Sequence, residues 1–356
     1  MTADLSTNEF VMLTESADEG TRSALRQAGQ PLHQYGRASI FDAPQPLAEE
    51  IAPAEAPMSD MPPEGEASTE QLGLAAFARR RSDEFRMEKE NRSHAALSWS
   101  GEDNGEGPSP IHPVDGPEFL AEGEQPAPAA SLSGRLKGRI AVGVVIVEGT
   151  ASALRFSNSE QIKVLAEVQN GLSYLAAQAP RKDVTFVHQI KALRVDVPDT
   201  TSGSTYEDFE RPWRDPALAQ LGFGPGLSGC RAYAASLKTA LATDWAYVAF
   251  FTKYTLRHFA YASLGGPRLV MHYLNDGWGV DNIDRVFAHE TGHIFNAPDE
   301  YGSSGCNCGG SWGHFGRPNS NCANCAPGGG SKCIMRSNDW AMCSETPYHL
   351  GYSGLP

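Results

Sequence analysis

The chain has 356 residues, 40% of them hydrophobic, enough for a substantial core and for two ordinary domains. Its formal charge of −14 is concentrated at one end: residues 1–134 hold 24 acidic and 9 basic side chains, whereas residues 135–356 hold 19 and 20. This acidic excess argues against nucleic acid as a partner, since phosphate binding needs clustered Lys and Arg, and no stretch reaches the roughly 18 apolar residues of a transmembrane segment.

Residues 1–134 read as a disordered, acidic, Pro-rich region. They contain 13 of the 24 prolines and 7 of the 32 aromatic residues. Pro44 to Gly65 and Glu102 to Ala130 show no sustained period, and such segments bury too little apolar surface to offset their ordering entropy. Glu70 to Glu90, with Leu72, Leu74, Phe77 and three consecutive arginines, reads either as a short helix or as a solvated charged stretch; the second reading is favoured. Met1 to Gly20 lacks the basic and apolar regions of a signal peptide.

The texture changes near residue 137. Ile140 to Val147 reads as a buried strand. Ser157 to Glu160 has capping-box spacing, and Ile162, Leu165, Val168, Leu172 and Leu175 follow at helical intervals up to Pro180. Val184 to Val197 is a second strand and Pro198 to Gly229 is loop-like. Arg231 to Thr243 is a helix and Trp245 to Phe251 a third strand. Phe259 to Leu264 and Leu269 to Tyr273 are two more strands, split by Gly265-Gly266-Pro267. Asp281 or Asn282 then caps a helix whose apolar face is Ile283, Val286, Phe287 and Ile294. The order β-α-β-α-β-β-α implies an α/β fold with a mostly parallel sheet. Beyond residue 298 no regular structure is readable.

On that last helix, His289-Glu290-Thr291-Gly292-His293 spells HExxH. Positions i and i+4 share a helix face, so both imidazoles reach one cation, with Zn2+ the natural occupant and Glu290 placed as general base. Pro298 ends the helix and Asp299 follows His293 by six residues. The run resembles the metzincin signature HExxHxxGxxH/D, with Asp299 at the third-ligand position as in the snapalysin-like branch. Asn296 stands where the family has Gly; Asn is the next residue best tolerated in the left-handed conformation required there. Cys333-Ile334-Met335 resembles the metzincin Met-turn, whose methionine floors the metal site. Ser337 replaces the Tyr that some branches carry two residues after that Met. The resemblance covers roughly residues 137–350. It implies a twisted, mostly parallel sheet with an antiparallel edge strand, placed at Phe259 to Leu264, that can pair with an extended peptide. An active-site helix and an irregular Cys-rich C-terminal subdomain follow.

All seven cysteines lie beyond residue 229, and six fall between 306 and 343. Cys306, Cys308, Cys322 and Cys325 form C-x-C…C-x2-C, which is compatible with a zinc ribbon or with disulfides; disulfides are favoured, with the connectivity open. That density points to an extracellular or secreted protein, against the unreadable signal peptide. Cys230 reads as a buried free thiol and His272 as a packed strand residue. His314 and His349 read as loop histidines, and as alternative ligands should Asp299 not serve.

The expectation is therefore an acidic region, 1–134, followed by a metzincin-like catalytic domain, 135–356, that hydrolyses peptide bonds in a protein or peptide substrate using Zn2+ held by His289, His293 and Asp299, with Glu290 as base and Met335 beneath. The rivals are a non-catalytic zinc-containing binding or adhesion protein and a metal-dependent hydrolase of another substrate. Residues 1–134 are open to two readings, a removable prosegment that inhibits through a carboxylate and a solubilising tail.

Overall fold

The apolar run after residue 137 forms β4 (Gly138–Glu148), the centre of the sheet. Its side chains alternate between two cores: Ile140, Val142, Val144 and Ile146 face one layer of helices, while Ala141, Val145 and Val147 face another. Burial on both faces is why this strand reads as continuously apolar rather than alternating. The computed structural model describes residues 9–13, 29–42, 67–101 and 131–355.

Around β4 the sheet has the order β1-β3-β2-β5-β4-β6-β8-β7. The strands are β1 (Glu9–Leu13), β2 (His33–Tyr35), β3 (Ala38–Asp42), β5 (Val184–Arg194), β6 (Trp245–Thr252), β7 (Ala260–Ala262) and β8 (Arg268–His272). The five strands from β2 through β5, β4 and β6 to β8 run parallel; β1, β3 and β7 pair antiparallel. This is the expected mostly parallel α/β sheet, and β7 is its antiparallel edge.

Two helices differ from the sequence reading. Pro198 to Gly229 is not all loop. It contains α4 (Tyr206–Gln220), begun by a Thr205–Asp208 capping box and continued through Pro212 and Pro216. Buried Tyr206, Trp213, Ala217 and Leu218 hold it to the sheet. Glu210 accepts from Arg214 in the same helix and from Arg268 of β8, at 2.7–2.9 Å. Tertiary pairing thus overrides the low local propensity. The neighbouring α5 (Gly226–Ala240) begins five residues before the expected Arg231.

The larger difference is in the N-terminal third, whose described segments belong to the same core as the rest. Glu70 to Glu90 is not a solvated stretch: it forms α1 (Thr69–Arg80), capped by a Ser68–Gln71 box, and α2 (Asp83–Glu90), capped by Ser82. Leu72, Ala76, Phe77 and Phe85 are buried. α1 lies on α3 (Asn158–Gln178), where Gln169 Nε2 donates to Gly73 O at 2.9 Å. Composition hid this because the apolar face is narrow, and its partners, α3 and β5, lie about 100 residues away. The expectations for Pro44 to Gly65 and Glu102 to Ala130 fall outside the described residues.

β2 joins β5 through a buried histidine pair. His33 Nδ1 is 3.0 Å from His188 Nε2, and His33 Nε2 is 3.0 Å from Ser173 Oγ. Glu9 and Arg80 form an ion pair against the same serine, and Tyr35 stacks on His188 at 4.3 Å. The remaining helices are α6 (Ile283–Ile294) and the short α7 (Thr346–Leu350). Beyond α6 the chain is irregular, with bridges Cys306–Cys322 and Cys308–Cys325. These pairings replace the zinc-ribbon alternative. Cys230 is buried and free, as expected. Among the described residues no helix is long and apolar enough to cross a membrane.

Two outcomes are expected. Phe85 is fully buried beneath the Lys89 and Lys163 ammonium groups, so Phe85→Ala should cost about 3–5 kcal/mol in urea unfolding. An unchanged midpoint would show that α2 is not part of the cooperative unit. Burial pushes His33 down to about 3 and His188 well below its ordinary value. Both rings are neutral in the folded chain at pH 7, whereas unfolded imidazoles protonate near pH 6.5. Below that the unfolded state binds more protons, so stability should fall as the pH drops from about 6.5 toward 3. Denaturation of His33→Gln over that range should show a shallower loss; an unaltered pH slope would remove the pair as its source.

Candidate metal centre

The site rests on α6, which packs across α3 where Gly171 meets the backbone oxygen of Asp284; a Cβ at position 171 would collide with it. The expected cap residue, Asn282, precedes α6 but does not cap it through its side chain. Instead Glu167 Oε2 of α3 accepts from Asp284 N at 3.0 Å, and the Asn282 amide donates to the backbone oxygens of Ser93 and Trp278.

The end of α6 decides the site. Asn296 has φ +66°, the left-handed conformation anticipated for the residue at the family's Gly position. Its N–H reaches His293 O (2.9 Å) while Ala297 N–H reaches Gly292 O (3.0 Å), the two bonds of a Schellman ending. This reversal, continued by Pro298, brings Asp299 back over the helix. It also aims Ala297 O at His293 Nδ1, at 2.8 Å.

The three expected ligands converge. His293 Nε2 lies 2.9 Å from His289 Nε2, and Asp299 Oδ1 lies 3.2 Å from the first imidazole and 3.1 Å from the second. His289 Nδ1 contacts Ile334 O at 3.0 Å. A carbonyl only accepts, so both Nδ1 atoms carry a proton and both Nε2 atoms face Asp299, as lone pairs wherever the ring is neutral. Three such acceptor atoms about 3 Å apart repel one another unless a proton or a metal ion sits among them. Zinc bonds of 2.0–2.1 Å in tetrahedral geometry separate ligand atoms by about 3.3 Å, close to the spacing found. His289, His293 and Asp299 therefore fit a small divalent cation, and the backbone carbonyls of Ile334 and Ala297 supply the outer hydrogen bonds that orient such histidines. His314 and His349 lie outside this group; His349 is buried, with Nε2 3.3 Å from Pro318 O.

Electrostatics agree with a cation site. Burial lowers both imidazoles, and at His289 it prevails, helped by His293. At His293 burial is outweighed by the Asp299 carboxylate, which pushes that imidazole up to about 9, while the two imidazoles hold Asp299 well below the usual carboxylate range despite its burial. The field that favours a proton on His293 favours a metal ion in its place, so loading releases a proton.

Glu290 is fully buried beside these ligands, and among the described residues neither of its carboxylate oxygens has a hydrogen-bond partner. Burial pushes it up to about 8. A buried carboxyl in this condition costs free energy unless another polar group comes to it. Met335 is fully buried against Gly292 of α6, where a Cβ would stand 2.6 Å from its Sδ. It thus packs against the helix that carries His289 and His293.

A second buried group, Glu300, Cys333 and Cys343, lies next to the first in sequence. Thr346 Oγ1 stands 3.0 Å from Glu300 Oε1, 3.1 Å from Cys333 Sγ and 3.2 Å from Cys343 Sγ, so these atoms are joined by their own hydrogen bonds. Asn321 Nδ2 reaches the other Glu300 oxygen at 2.6 Å.

Sequence reading missed the supporting groups. The role of Ala297 O follows from its position four residues after His293 and could have been inferred once a Schellman ending was assumed. Ile334 O has no signal beyond its place in the Met-turn. Trp99, fully buried with its ring 5.5 Å from His289, has none, since 190 residues separate the two.

No protein-family model matches this chain, and no curated protein is significantly similar to it.

Proposed function

We propose that this protein is a zinc-dependent endopeptidase of metzincin type. The observation that carries the reading is the convergence of His289 Nε2, His293 Nε2 and Asp299 Oδ1 within 2.9–3.2 Å, beside a buried Glu290 carboxyl. Supporting it are Met335 beneath α6 and the antiparallel edge strand β7, which pairs with β8 just ahead of the site helix. Both features are those the signature resemblance implies. An extended peptide would add to the edge of β7 by main-chain pairing. Two disulfides suit an extracellular setting, which is part of the proposal.

Zinc, when bound, supplies Lewis acidity toward the scissile carbonyl and lowers the pKa of a bound water to about 7. With a cation held beside it to offset the burial that raises its carboxyl, Glu290 takes a proton from the attacking water and passes it to the leaving amine. His289 and His293 keep their metal-facing lone pairs because Ile334 O and Ala297 O hold their Nδ1 protons.

One observation favours a second reading, a non-catalytic zinc protein: His289, Glu290 and His293 are fully buried and Asp299 is 3% exposed. A purely structural site has no use for a partnerless general base, so the enzyme reading stands first. Glu290→Ala separates them. It should retain zinc and fold while hydrolysis of casein falls by roughly 10²–10⁴-fold; wild-type protein with stoichiometric zinc and no proteolysis would favour the binding protein.

The ligand set has its own test. Asp299→Ala should weaken zinc binding by more than the roughly 10–100-fold that loss of a supporting hydrogen bond costs, whereas Glu300→Ala should leave the zinc content at one ion per chain. Metal analysis showing the reverse would move the third ligand to Glu300.

A further inference from the structure

The Ile334 carbonyl that orients His289 is shared. It accepts from His289 Nδ1 at 3.0 Å and from the indole Nε1 of Trp99 at 2.6 Å. A carbonyl oxygen has two lone pairs, and with both engaged its direction is fixed. Trp99 is fully buried, 4.8 Å from Trp278 and edge-on to His289.

Trp99 is delivered by a strap, residues 89–101, that is tied on both sides of the site. Toward the start of α6, Arg92 forms a bidentate pair with Asp284 (3.0 and 3.1 Å) and Lys89 Nζ donates to Asp281 O at 2.7 Å. Toward the Met-turn, Ala96 N donates to Asn338 O (2.7 Å), Asn338 N to Leu97 O (2.8 Å) and Trp99 N to Arg336 O (3.1 Å). His94 and Ala96 hold left-handed φ values of 56° and 66°. Non-glycine residues keep such strain only where the surroundings over-determine it.

We propose that Trp99 is a positioning residue of the metal centre: its indole N–H fixes the Ile334 carbonyl, which fixes the ring plane and tautomer of His289. The strap around it clamps the ligand-bearing helix to the Met-turn. This rests on the zinc reading above and adds to it a residue from the region where sequence alone gave no fixed structure. It also implies that maturation by cleavage anywhere between Trp99 and residue 134 would retain function only if the strap stayed bound.

The test uses the full-length chain and zinc as the probe. Trp99→Phe keeps an aromatic ring and removes the N–H. Trp213→Phe, buried on the opposite side of the sheet against Phe250, is the packing control. Zinc dissociation constants from chelator competition, the visible spectrum of the cobalt-substituted protein and the urea stability of the metal-free chain are compared. Trp99→Phe should weaken zinc binding by about tenfold, the low end for loss of an outer hydrogen bond, and shift the cobalt bands. Trp213→Phe should lower stability with both metal readouts unchanged. Wild-type zinc affinity and cobalt spectrum in Trp99→Phe, whatever its stability, would overturn the proposal. If that variant does not fold, benzothienylalanine at position 99, which has the indole shape without the N–H, gives the same comparison. Absence of zinc binding by the wild type would instead sink the parent reading.

Discussion

Three electron-rich atoms, two imidazole nitrogens and a carboxylate oxygen, are held about 3 Å apart in a buried place. Without a proton or a metal ion among them they repel, and burial sharpens the repulsion because no solvent screens it. Much of the surrounding architecture serves to hold that arrangement. The Schellman ending of α6 turns the chain so that Asp299 faces its own helix. Two backbone carbonyls hold the imidazole protons on the far side of each ring. Gly292 leaves room for Met335, and Gly171 lets α3 approach closely enough for Glu167 to cap α6.

The helix and the Cys333–Met335 segment meet at the candidate metal site from different parts of the chain, and they are joined by residues that precede both. Ion pairs from α2 and the strap enter the α3–α6 interface: Lys89 with Glu167, Lys163 with Glu88 and Asp281, Arg92 with Asp284. Burial disfavours the charged forms of these groups; it prevails at Lys89 and Glu167, whereas at Asp284 the Arg92 and Lys89 cations outweigh it and hold the carboxyl well below its usual range. Buried pairs of this kind are weak evidence for stability in themselves, but removing one partner leaves an uncompensated charge, so they specify which surfaces meet. The acidic N-terminal third therefore contributes carboxylates and cations to the frame of the site as well as to the net charge.

From Gly302 to Lys332 the chain contributes no side chain to the main apolar core. Two disulfides cross between Cys306–Cys308 and Cys322–Cys325, limiting the freedom of a Gly- and Asn-rich loop. Asn side chains do the rest: Asn319 donates to Asp299 O, Asn321 to Glu300 and Asn324 to the backbone oxygens of Gly302 and Cys306. The segment that carries Asp299 is thus held by side-chain amides and cross-links on one side and by the burial of Ala297 and Tyr301 in the main core on the other.

The sequence by itself determined whatever depends on short-range periodicity. The β4 run, the capped α3, the strands on either side of Gly265-Gly266-Pro267 and the i, i+4 histidines on one face of α6 were legible because each pattern closes within a dozen residues. So was the left-handed turn at Asn296, since few side chains tolerate that conformation. Tertiary structure alone decided the rest. α4 forms through two prolines because Arg268 of β8 supplies a partner for Glu210. α1 and α2 fold because α3, α6 and β5 offer surfaces that a local window cannot see. The cysteine pairing rests on distances that spacing does not encode, and the place of Trp99 beside His289 depends on contacts across 190 residues. Local patterns are set by backbone geometry, which the sequence carries directly; long-range contacts are chosen by complementary burial and charge, which exist only once the chain has folded.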